Sequence, residues 1–352
     1  MSSQILLLDV VRIERQTADA VVVVLKSPEN AMLSFLPGQF LTFRIPIQGQ
    51  MINRSYSICS VNLDLPEISV AVKEVAGGLM STYLNRQLQV GQKIEVMSPM
   101  GNFTCPTNTQ GSRHIVLFGA GSGITPLYSI LRTLLAEESS SRISLIYANE
   151  DAKSEIFRTE LDRLAQNHAD RFRLIRIYRN PDSQAEFQGL LNTTMAIHML
   201  GLIQASTEEN TLYYMCGPIG FMDVVKQSLQ DMGILSSRIF RESFTAPALG
   251  DSDAAIADEP IITRNVKVLF NKKEYQFDVT PQDSILMAAL DKGIHLPYSC
   301  QGGVCTACRG KLKTGRVHLD EREGLSDAEI EDGYVLCCVG HPLTDDVLIE
   351  IG

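Results

Sequence analysis

The residues of this chain with the clearest chemical signature are four cysteines near its C-terminus. Cys300, Cys305 and Cys308 form a Cys-x4-Cys-x2-Cys motif, and Cys338 follows after a gap of 29 residues. Four thiolates at this spacing are the ligand set of a plant-type [2Fe–2S] cluster. Two adjacent glycines in the loop let backbone amides approach the sulfurs. The motif therefore predicts a [2Fe–2S] centre, which transfers one electron at a time.

Other uses of these thiols fit the sequence less well. A structural zinc site needs two paired Cys-x2-Cys or Cys/His units, and this chain has one such pair. Structural disulfides are typical of small secreted chains. Cys337 and Cys338 are adjacent, and on an extended strand they would point to opposite sides, so that one of them faces the cluster. The gap length and the Leu336-x-Cys338 pattern favour Cys338 as the fourth ligand.

The bulk properties indicate an ordinary globular protein of two or three domains. The chain has 352 residues, of which 45% are hydrophobic and 20% charged. No apolar run reaches the roughly 18 residues of a membrane span. The N-terminus lacks the basic region of a signal peptide, which favours a cytoplasmic location. The net charge of −10 argues against nucleic acid as a partner.

An acidic segment precedes the last cysteines. Residues 320–332 contain seven acidic residues and one arginine. Such a segment is either a solvated helix face or an electrostatic docking patch for a protein partner. The sequence leaves both interpretations open.

The first third of the chain predicts a β-barrel or sandwich. Several short apolar segments with turn signals between them are typical of such folds. A helix is expected to interrupt them near Met80–Leu84. The predicted strands are 20–25, 39–44, 54–58, 68–73 and 93–97.

The middle third alternates between strand and helix patterns, which favours a doubly wound parallel sheet. Its predicted strands are 114–118, 143–147, 172–177 and 211–215, with helices over 125–135 and 154–167. Residues 246–262 are rich in Ala and Asp and contain two prolines, as expected of a flexible linker. From Asn265 a hairpin is predicted, followed by a helix near 284–292 that leads into the cysteine loop.

A glycine-rich loop between a strand and a helix predicts a second site in the middle region. Gly121 and Gly123 lie in this loop, where a backbone without side chains can approach a pyrophosphate at the helix N-terminus. By itself the loop also fits an ordinary tight turn. Cys216 follows the last predicted strand of the region, and ligands bind beyond the carboxyl ends of such strands. Gly121 and Cys216 are therefore expected at the same crevice.

A third pattern lies in the first region. In the segment Arg54-Ser-Tyr-Ser57, Arg54 can meet a phosphate and Tyr56 can stack on a flat ring. A Gly77-Gly78 pair then enters a helix, as a second phosphate cradle would. Taken alone, both patterns fit a strand with an exposed face and a turn with a helix N-cap.

Together the three sites resemble those of ferredoxin–NADP⁺ reductase-type flavoproteins with a C-terminal plant-type ferredoxin domain. Similar chains include reductase components of multicomponent oxygenases, such as those of the phenylacetyl-CoA type, and hybrid-cluster-protein reductases. The resemblance covers essentially the whole chain. It implies an antiparallel FAD-binding β-barrel over 1–108 and an α/β doubly wound NAD(P)-binding domain over 109–245. The linker 246–262 then leads to an α+β, β-grasp-like ferredoxin domain over 263–352.

The resemblance also implies roles for individual residues. Arg54 would bind the FAD pyrophosphate, Tyr56 would lie against the isoalloxazine, and Ser57 near its reactive nitrogen. Cys216 would lie beside the nicotinamide, so that Tyr56, Ser57 and Cys216 form the catalytic set. The Glu242-Ser-Phe244 segment resembles the family's closing motif at the flavin. The further cofactor-binding residues implied are Ser55, Lys73, Gly78, Leu79, Met80, Ser81, Gly121, Gly123, Thr125, Pro126, Gly217, Pro218 and Phe244.

These sites predict an electron-transfer reductase. A nicotinamide gives up two electrons as a hydride and a [2Fe–2S] cluster accepts one, so a flavin is expected between them. The predicted path runs from NAD(P)H through FAD and the cluster to an external partner, an oxygenase or desaturase component. A general reductase of ferredoxins, flavodoxins or a hybrid-cluster protein, and a redox-sensing module, are the alternatives. Glu150 favours NADH and Arg179 favours NADPH, and the choice stays open.

Overall fold

The computed structural model describes residues 5–28, 33–47, 49–109, 111–180, 185–207, 210–242, 244, 261–294, 296–298, 303, 306–320, 324–325 and 327–351. The chain divides at Phe244 into two compact units, Ser2–Ser243 and Phe244–Gly352. The first unit contains two six-stranded sheets, and the second contains a five-stranded sheet and a two-stranded ribbon. Within the described ranges, no helix is long and apolar enough to cross a membrane.

The first sheet is an antiparallel barrel. Its strands are β1 Ile5–Thr17, β2 Ala20–Lys26, β3 Phe40–Ile47, β4 Gln50–Ser57, β5 Glu67–Lys73 and β6 Lys93–Met100. They lie in the order β4-β3-β6-β1-β2-β5, and a bridge between Ile58 and Val70 closes the circle. Helix α1, Leu79–Arg86, packs its buried side on the barrel interior. The prediction of an antiparallel barrel with a helix near residue 80 is confirmed.

Strand β2 explains how the barrel joins the next layer. Its valines are buried on both faces, because one face lines the barrel interior and the other enters a second core. This second core also contains the helix and strands that follow residue 114. A strand that is buried on both sides gives an unbroken apolar run rather than an alternating pattern. The barrel and the second sheet therefore share one continuous core.

The second sheet is parallel and doubly wound. Its strands are β7 His114–Ala120, β8 Arg142–Asn149, β9 Phe172–Tyr178, β10 Phe187–Gln188, β11 Thr211–Cys216 and β12 Ile239–Glu242. Its helices are α2 Ile124–Glu137, α3 Arg158–Asn167, α4 Thr193–Leu202 and α5 Ile219–Asp231. The order β10-β9-β8-β7-β11-β12 reverses direction between β7 and β11. This reversal is the switch point at which ligands bind in such sheets.

The predicted start of helix α3 is wrong by four residues. The helix begins at Arg158 rather than Ser154, because Asp151 forms a local turn by accepting the backbone amides of Lys153 and Ser154 at 3.0 and 2.9 Å. Phe157 then adopts a left-handed conformation with φ of 61°, which an α-helix does not allow.

The second unit is an α+β fold of the predicted β-grasp-like kind. Its strands are β13 Arg264–Phe270, β14 Lys273–Val279, β15 Arg309–Thr314, β16 Val317–Leu319, β17 Tyr334–Leu336, β18 Gly340–Pro342 and β19 Leu348–Ile351, and its helices are α6 Ile285–Asp291 and α7 Asp327–Glu331. In the sheet order β14-β13-β19-β15-β17, β13 and β19 are parallel. Helix α6 packs its buried side on this sheet, and the Ser284 side chain caps it by accepting from Met287 N at 3.3 Å.

The predicted hairpin turn after β13 is present, with Asn271 and Lys272 both at positive φ. Of the predicted linker 246–262, residues 246–260 lie outside the described residues. The acidic segment 320–332 contains α7. Two of its carboxylates are paired, Glu329 with Arg309 and Asp320 with His341.

A buried carboxylate ties the end of α2 to the segment that joins the two sheets. The side chain of Glu138 is fully buried; it accepts from Asn108 N at 2.7 Å and pairs with Arg113. Burial raises the pKa of the Glu138 carboxyl, but hydrogen bonds from Arg113 and Ser141 outweigh burial and hold the pKa below its ordinary value. The ionised form of Glu138 therefore stabilises this junction.

We expect Glu138→Gln to lower the free energy of unfolding by about 3 kcal/mol at pH 7, because it leaves a mostly buried arginine without its counter-charge. Since the folded-state pKa is depressed, the wild-type contribution is present above about pH 4.3 and is lost as the pH falls through the folded value. Urea denaturation between pH 7 and pH 3 measures both effects. Glu186→Gln, in a half-exposed ion pair with Arg173, is the control and should cost less than about 1 kcal/mol. Equal losses in the two variants would contradict the assignment.

Candidate functional site

Strand β4 carries the predicted flavin motif on two faces. Arg54 and Tyr56 lie on the face of Phe43, and the Tyr56 ring meets the Phe43 ring edge-on at 5.4 Å. Arg54 is exposed and donates to Asn53 O at 2.7 Å. Burial raises the pKa of Tyr56, so its hydroxyl stays protonated near neutral pH. The exposed guanidinium and the half-buried ring are available to a ligand on this side of the barrel.

Ser57 lies on the opposite face of the same strand from Tyr56, as strand alternation requires. It is buried, and its Oγ lies 3.4 Å from Oε2 of Glu242 at the end of β12. Ser55, on the same face, meets the Thr42 hydroxyl at 2.9 Å. The structure therefore brings Ser57 to the parallel sheet and keeps Tyr56 against the barrel.

The turn before α1 fits the predicted phosphate cradle through its backbone. Gly78 caps the helix, and a Cβ on Gly78 would lie 2.6 Å from Ser81 Oγ. Ser81 is buried, accepting from Val75 N at 3.1 Å and donating to Gly78 O at 3.3 Å. The first amides of a helix have no acceptor within it, so those of Leu79, Met80 and Ser81 can bind an anion.

Met80 and Lys73, two predicted residues near this turn, have side chains that make other contacts. The side chain of Met80 is buried in the barrel core, whereas that of its neighbour Leu79 is 45% exposed. Lys73, at the end of β5, pairs with Asp19 at 3.6 Å. Met80 can therefore contact a cofactor only through its backbone.

The glycine loop after β7 meets the end of β11 backbone to backbone. A Cβ on Gly123 would lie 2.1 Å from Cys216 O, and one on Gly217 would lie 2.9 Å from the Ala120 Cβ. Gly121 has a φ of +54°, and nothing lies within 4 Å of the position where its Cβ would be. The two segments expected at one crevice are thus in contact, and Gly121 faces open space at the switch point.

The first turn of α2 is fixed by its own side chains. Thr125 is buried and donates through Oγ1 to Ser122 O at 3.0 Å. Pro126 follows in the first turn, where its missing amide costs no helical hydrogen bond. Tyr147 donates its hydroxyl to Gly121 O at 3.0 Å. These contacts fix the backbone of the loop at the start of α2.

Three parallel strands end side by side at the centre of this site. In register, Cys216 of β11 lies between Gly119 of β7 and Glu242 of β12. Cys216 and Glu242 are both buried, and Pro218 begins the turn into α5. In the sequence, Glu242 is singled out only as part of a segment that resembles a family motif. In the structure it accepts a hydrogen bond from Ser57, which lies 185 residues earlier in the chain. A hydroxyl, a carboxylate and a thiol thus share one edge of the sheet, where they can hydrogen-bond to a polar heterocycle.

The chemistry of these groups fits two dinucleotides. The α1 amides and Arg54 suit one pyrophosphate, and the open backbone at Gly121 suits a second at the start of α2. Phe244, 49% exposed, belongs to the second unit, and its role at the flavin stays a prediction.

The residues that bear on nucleotide choice pair with each other. Nη1 of Arg179 lies 3.2 Å from Oε1 of Glu150, and both side chains are more than half exposed. They extend from neighbouring strands, beyond the ends of β9 and β8. The cation that would receive a 2′-phosphate is thus already next to a carboxylate.

In the second unit, strand pairing places the predicted ligand Cys308 beside the adjacent cysteines Cys337 and Cys338. Arg309 of β15 pairs with Leu336 of β17, which places Cys308 next to the residues that follow β17. Cys337 N donates to Cys308 O at 3.1 Å, and Cys308 and Cys338 are both buried. Cys300 and Cys305 lie outside the described residues. Two thiols at the ends of paired strands fit the donor set of a [2Fe–2S] cluster.

The expectation that Cys337 and Cys338 lie on an extended strand is wrong. Strand β17 ends at Leu336, and the two cysteines occupy a turn in which Val339 N donates to Leu336 O at 3.3 Å. Cys337 is fully buried and Cys338 is 8% exposed. Leu286 N donates to Cys337 O at 2.8 Å, which ties the turn to α6. The backbone of Cys308 contacts that of Cys337, so the choice of Cys338 depends on the gap length and the Leu336-x-Cys338 pattern.

Three family descriptions match the chain in succession. They are an oxidoreductase FAD-binding domain over residues 7–105, an oxidoreductase NAD-binding domain over 117–227 and a 2Fe-2S iron-sulfur cluster binding domain over 268–343. The fold and the sites therefore define an oxidoreductase that combines FAD-, NAD- and [2Fe–2S]-binding domains. It is an enzyme that transfers electrons between these groups.

Similar proteins extend over nearly the full length. One of the subunits of 1,2-phenylacetyl-CoA epoxidase from Escherichia coli is 33% identical over 97% of this chain and 96% of its own. The ferredoxin reductase component of 3-ketosteroid-9-alpha-monooxygenase from Rhodococcus rhodochrous is 32% identical over 99% and 97%. The fold is also that of phthalate dioxygenase reductase, with a TM-score of 0.66, 23% identity and 99% and 98% of the chains covered. This chain belongs to the same family as the epoxidase subunit and the ferredoxin reductase component, which are both more than 30% identical to it over nearly the full length.

The contact between Gly123 and Cys216 gives a prediction about nucleotide binding. We expect Gly123→Ala to force the glycine loop away from β11, because the added Cβ would lie 2.1 Å from a backbone oxygen. The dissociation constant for NADH should rise about tenfold or more, measured by fluorescence titration of the nicotinamide. Gly220→Ala is the control, since nothing lies within 4 Å of a Cβ there and alanine favours helix α5. Unchanged NADH binding in Gly123→Ala would contradict the prediction.

The cysteine turn gives a second prediction. We expect Cys338→Ser to abolish or strongly weaken the visible absorption of the cluster, because a thiolate ligand is replaced by a poorer one. Cys337→Ser is the matched control in the same turn and should keep the spectrum, although burying a hydroxyl there will cost stability. Iron and sulfide content, measured with the spectra, checks the result. The reverse pattern would assign the fourth ligand to Cys337.

Proposed function

We propose that this chain is the reductase component of an oxygenase system, delivering electrons from a nicotinamide nucleotide to an oxygenase partner. The observation that carries the proposal is the full-length likeness to a component of an epoxidase and to the reductase component of a monooxygenase, at 33% and 32% identity. The first of these makes an oxygenase of the phenylacetyl-CoA type the first candidate partner. The three binding domains support the same function. A nicotinamide gives up two electrons as a hydride and a [2Fe–2S] cluster accepts one, so a flavin site between them is what an electron-transfer reductase requires.

Each binding segment has a proposed role. Arg54 and the α1 amides of Leu79, Met80 and Ser81 hold the FAD pyrophosphate, and Tyr56 covers the flavin ring. The loop from Gly121 to Pro126 holds the phosphates of the nicotinamide nucleotide. The contacts of Gly78 and Gly123 support these roles. When bound, FAD would take up a hydride as two electrons and a proton and would release the electrons one at a time to the cluster.

Ser57, Glu242 and Cys216 form the proposed reaction edge. Ser57 and Glu242 are within hydrogen-bond reach of each other, and Cys216 is the neighbour of Glu242 in the sheet register. Their burial excludes water from this edge and keeps the donors and acceptors in fixed positions. Their role is to orient the two rings, and the reaction requires no covalent bond to Cys216.

We also propose that NADH is the preferred donor. An exposed carboxylate at Glu150 repels a 2′-phosphate and can accept ribose hydroxyl groups. Arg179, the cation suited to that phosphate, is paired with Glu150 at 3.2 Å. Using NADPH would require this ion pair to open, whereas NADH binding can retain it.

The domain limits stay as the sequence sets them: FAD binding over 1–108, nicotinamide binding over 109–245, a linker over 246–262 and the ferredoxin domain over 263–352. The described strands fall within these limits. A cytoplasmic location is part of the proposal. It is supported by Cys59 and Cys105, which are buried and not joined by a disulfide, as is usual in a reducing compartment.

Reconstitution with purified partners tests this function. The holoenzyme is mixed with NADH or NADPH and with the oxygenase subunits of a phenylacetyl-CoA epoxidase, a ferredoxin or a flavodoxin. We expect NADH oxidation coupled to substrate oxygenation with the oxygenase, at least about tenfold faster than with NADPH. Cys338→Ser is the control, because it should still reduce ferricyanide from the flavin while losing oxygenase turnover. Faster transfer to the ferredoxin or flavodoxin than to any oxygenase would indicate a general reductase instead.

A further inference from the structure

An ion pair joins the barrel to the parallel sheet on the side of helix α2. Nη1 and Nη2 of Arg132 lie 2.7 and 2.8 Å from Oδ2 and Oδ1 of Asp64. This is the parallel, two-bond geometry that fixes orientation as well as distance. Both side chains are about 30% exposed, so the pair is partly screened by water. Its geometric effect is therefore larger than its contribution to stability.

The two residues belong to the segments that carry the two binding sites. Arg132 lies eight residues into α2 from Ile124, or about 12 Å along the helix whose start forms the glycine loop. Asp64 ends the 3₁₀ turn Asn62–Asp64, seven residues after Ser57. Asp64 Oδ2 also accepts from Val61 N at 3.0 Å, which fixes the carboxylate on its own turn. The ion pair thus connects the nucleotide loop to the flavin strand through two short, rigid segments.

A cavity of about 430 Å³, half open to solvent, lies where the barrel meets the parallel sheet, and Asp64, Arg132, Cys59 and Tyr128 contribute to its walls. Cys59 and Tyr128 also belong to the apolar core that the two layers share. Because apolar packing is non-directional, directional bonds around the cavity further constrain the angle between the layers.

Two further bonds lie at the rim of the same cavity. Ser129 donates through Oγ to Ser60 O at 2.8 Å, and Phe157 N donates to Gln16 Oε1 at 3.2 Å. Each is a single bond that leaves rotation about its axis possible. The two-bond contact of Arg132 with Asp64 removes that freedom.

We propose that Arg132 and Asp64 are positioning residues that set the angle between the nicotinamide-binding loop and the flavin-binding strand. The inference depends on the proposed function, in which the two rings meet across this interface. The rate of hydride transfer depends strongly on the distance and angle between donor and acceptor, and a misplacement of about 1 Å can lower the rate about a hundredfold. Neither residue touches the reaction edge, so their effect is on the orientation of Ser57, on the barrel, relative to Glu242 and Cys216, on the parallel sheet.

The test uses the holoenzyme with the variants Asp64→Asn and Arg132→Lys. The asparagine side chain can still accept from Val61 N, and lysine keeps the charge while losing the two-bond geometry. Stopped-flow absorbance under anaerobic conditions measures flavin reduction by NADH. We expect the rate of hydride transfer to fall about tenfold in both variants, with NADH affinity changed by less than about twofold. The melting temperature should stay within about 2 °C, since a partly exposed pair contributes little stability.

A second readout does not depend on turnover. Amide hydrogen exchange over residues 58–65 and 126–134 should become about tenfold faster in both variants, because the layers open more often at the cavity. Arg173→Met is the control. It removes a different ion pair of the parallel sheet, in which Nη2 of Arg173 lies 2.8 Å from Oε2 of Glu186. It should change neither the exchange of those segments nor the rate.

The outcomes separate the possibilities. An unchanged rate and unchanged exchange in Asp64→Asn would overturn the proposal. A fall in rate matched by equal losses of NADH affinity and melting temperature would show local unfolding, and would also overturn it. If NADH does not reduce the flavin of the wild-type protein, the proposed function fails, and the exchange measurement still decides whether the ion pair holds the layers together.

Discussion

The close contact between the glycine loop and the end of β11 is the constraint on which the reaction site depends. The backbone of Gly123 occupies space beside Cys216 O that a Cβ would fill, so the loop can reach this position only with glycine. That approach brings the start of α2 to the carboxyl end of the neighbouring strand. The pairing of β11 with β12 independently places Cys216 beside Glu242. The missing side chain of Gly123 thus brings the phosphate cradle to a thiol and a carboxylate that strand pairing already holds together.

The barrel reaches this edge through apolar burial and a few polar bonds. Strand β2 buries one face in the barrel and the other in the core shared with α2, which prevents the two layers from separating as independent bodies. Apolar burial is strong but non-directional. The orientation of Ser57 towards Glu242 therefore needs directional contacts as well, and the ion pairs of Glu138 and Arg132 supply them at two places along α2.

The elements that the sequence predicts well are those with an unambiguous local signal. The apolar runs at 20–25 and 114–118 and the glycine loop at 119–123 are read directly from residue type. The sequence does not predict strand β1, because its second half, from Ile13 to Thr17, mixes charged and apolar residues and is half exposed. The predicted start of α3 is wrong because the Asp151 side chain competes with the helix for backbone amides.

The parts of the site that the sequence does not predict are set by tertiary contacts. The turn at Cys337 and Cys338 forms because β17 is only three residues long and pairs with the short stretch of β15 that follows Cys308. The contact of Ser57 with Glu242 spans 185 residues and exists only because barrel and sheet share a core. Single-sequence patterns carry no information on such pairs.

The division of the chain at Phe244 follows the division of its chemistry. Hydride transfer forms and breaks bonds to one atom, so donor and acceptor must be held in a narrow range of distances and angles. The segments proposed to hold both rings accordingly lie in one unit with a continuous core. Transfer of a single electron to a cluster forms no bond and requires no such alignment. The cluster cysteines can therefore belong to a separate unit with its own core, without loss of the geometry that the hydride step demands.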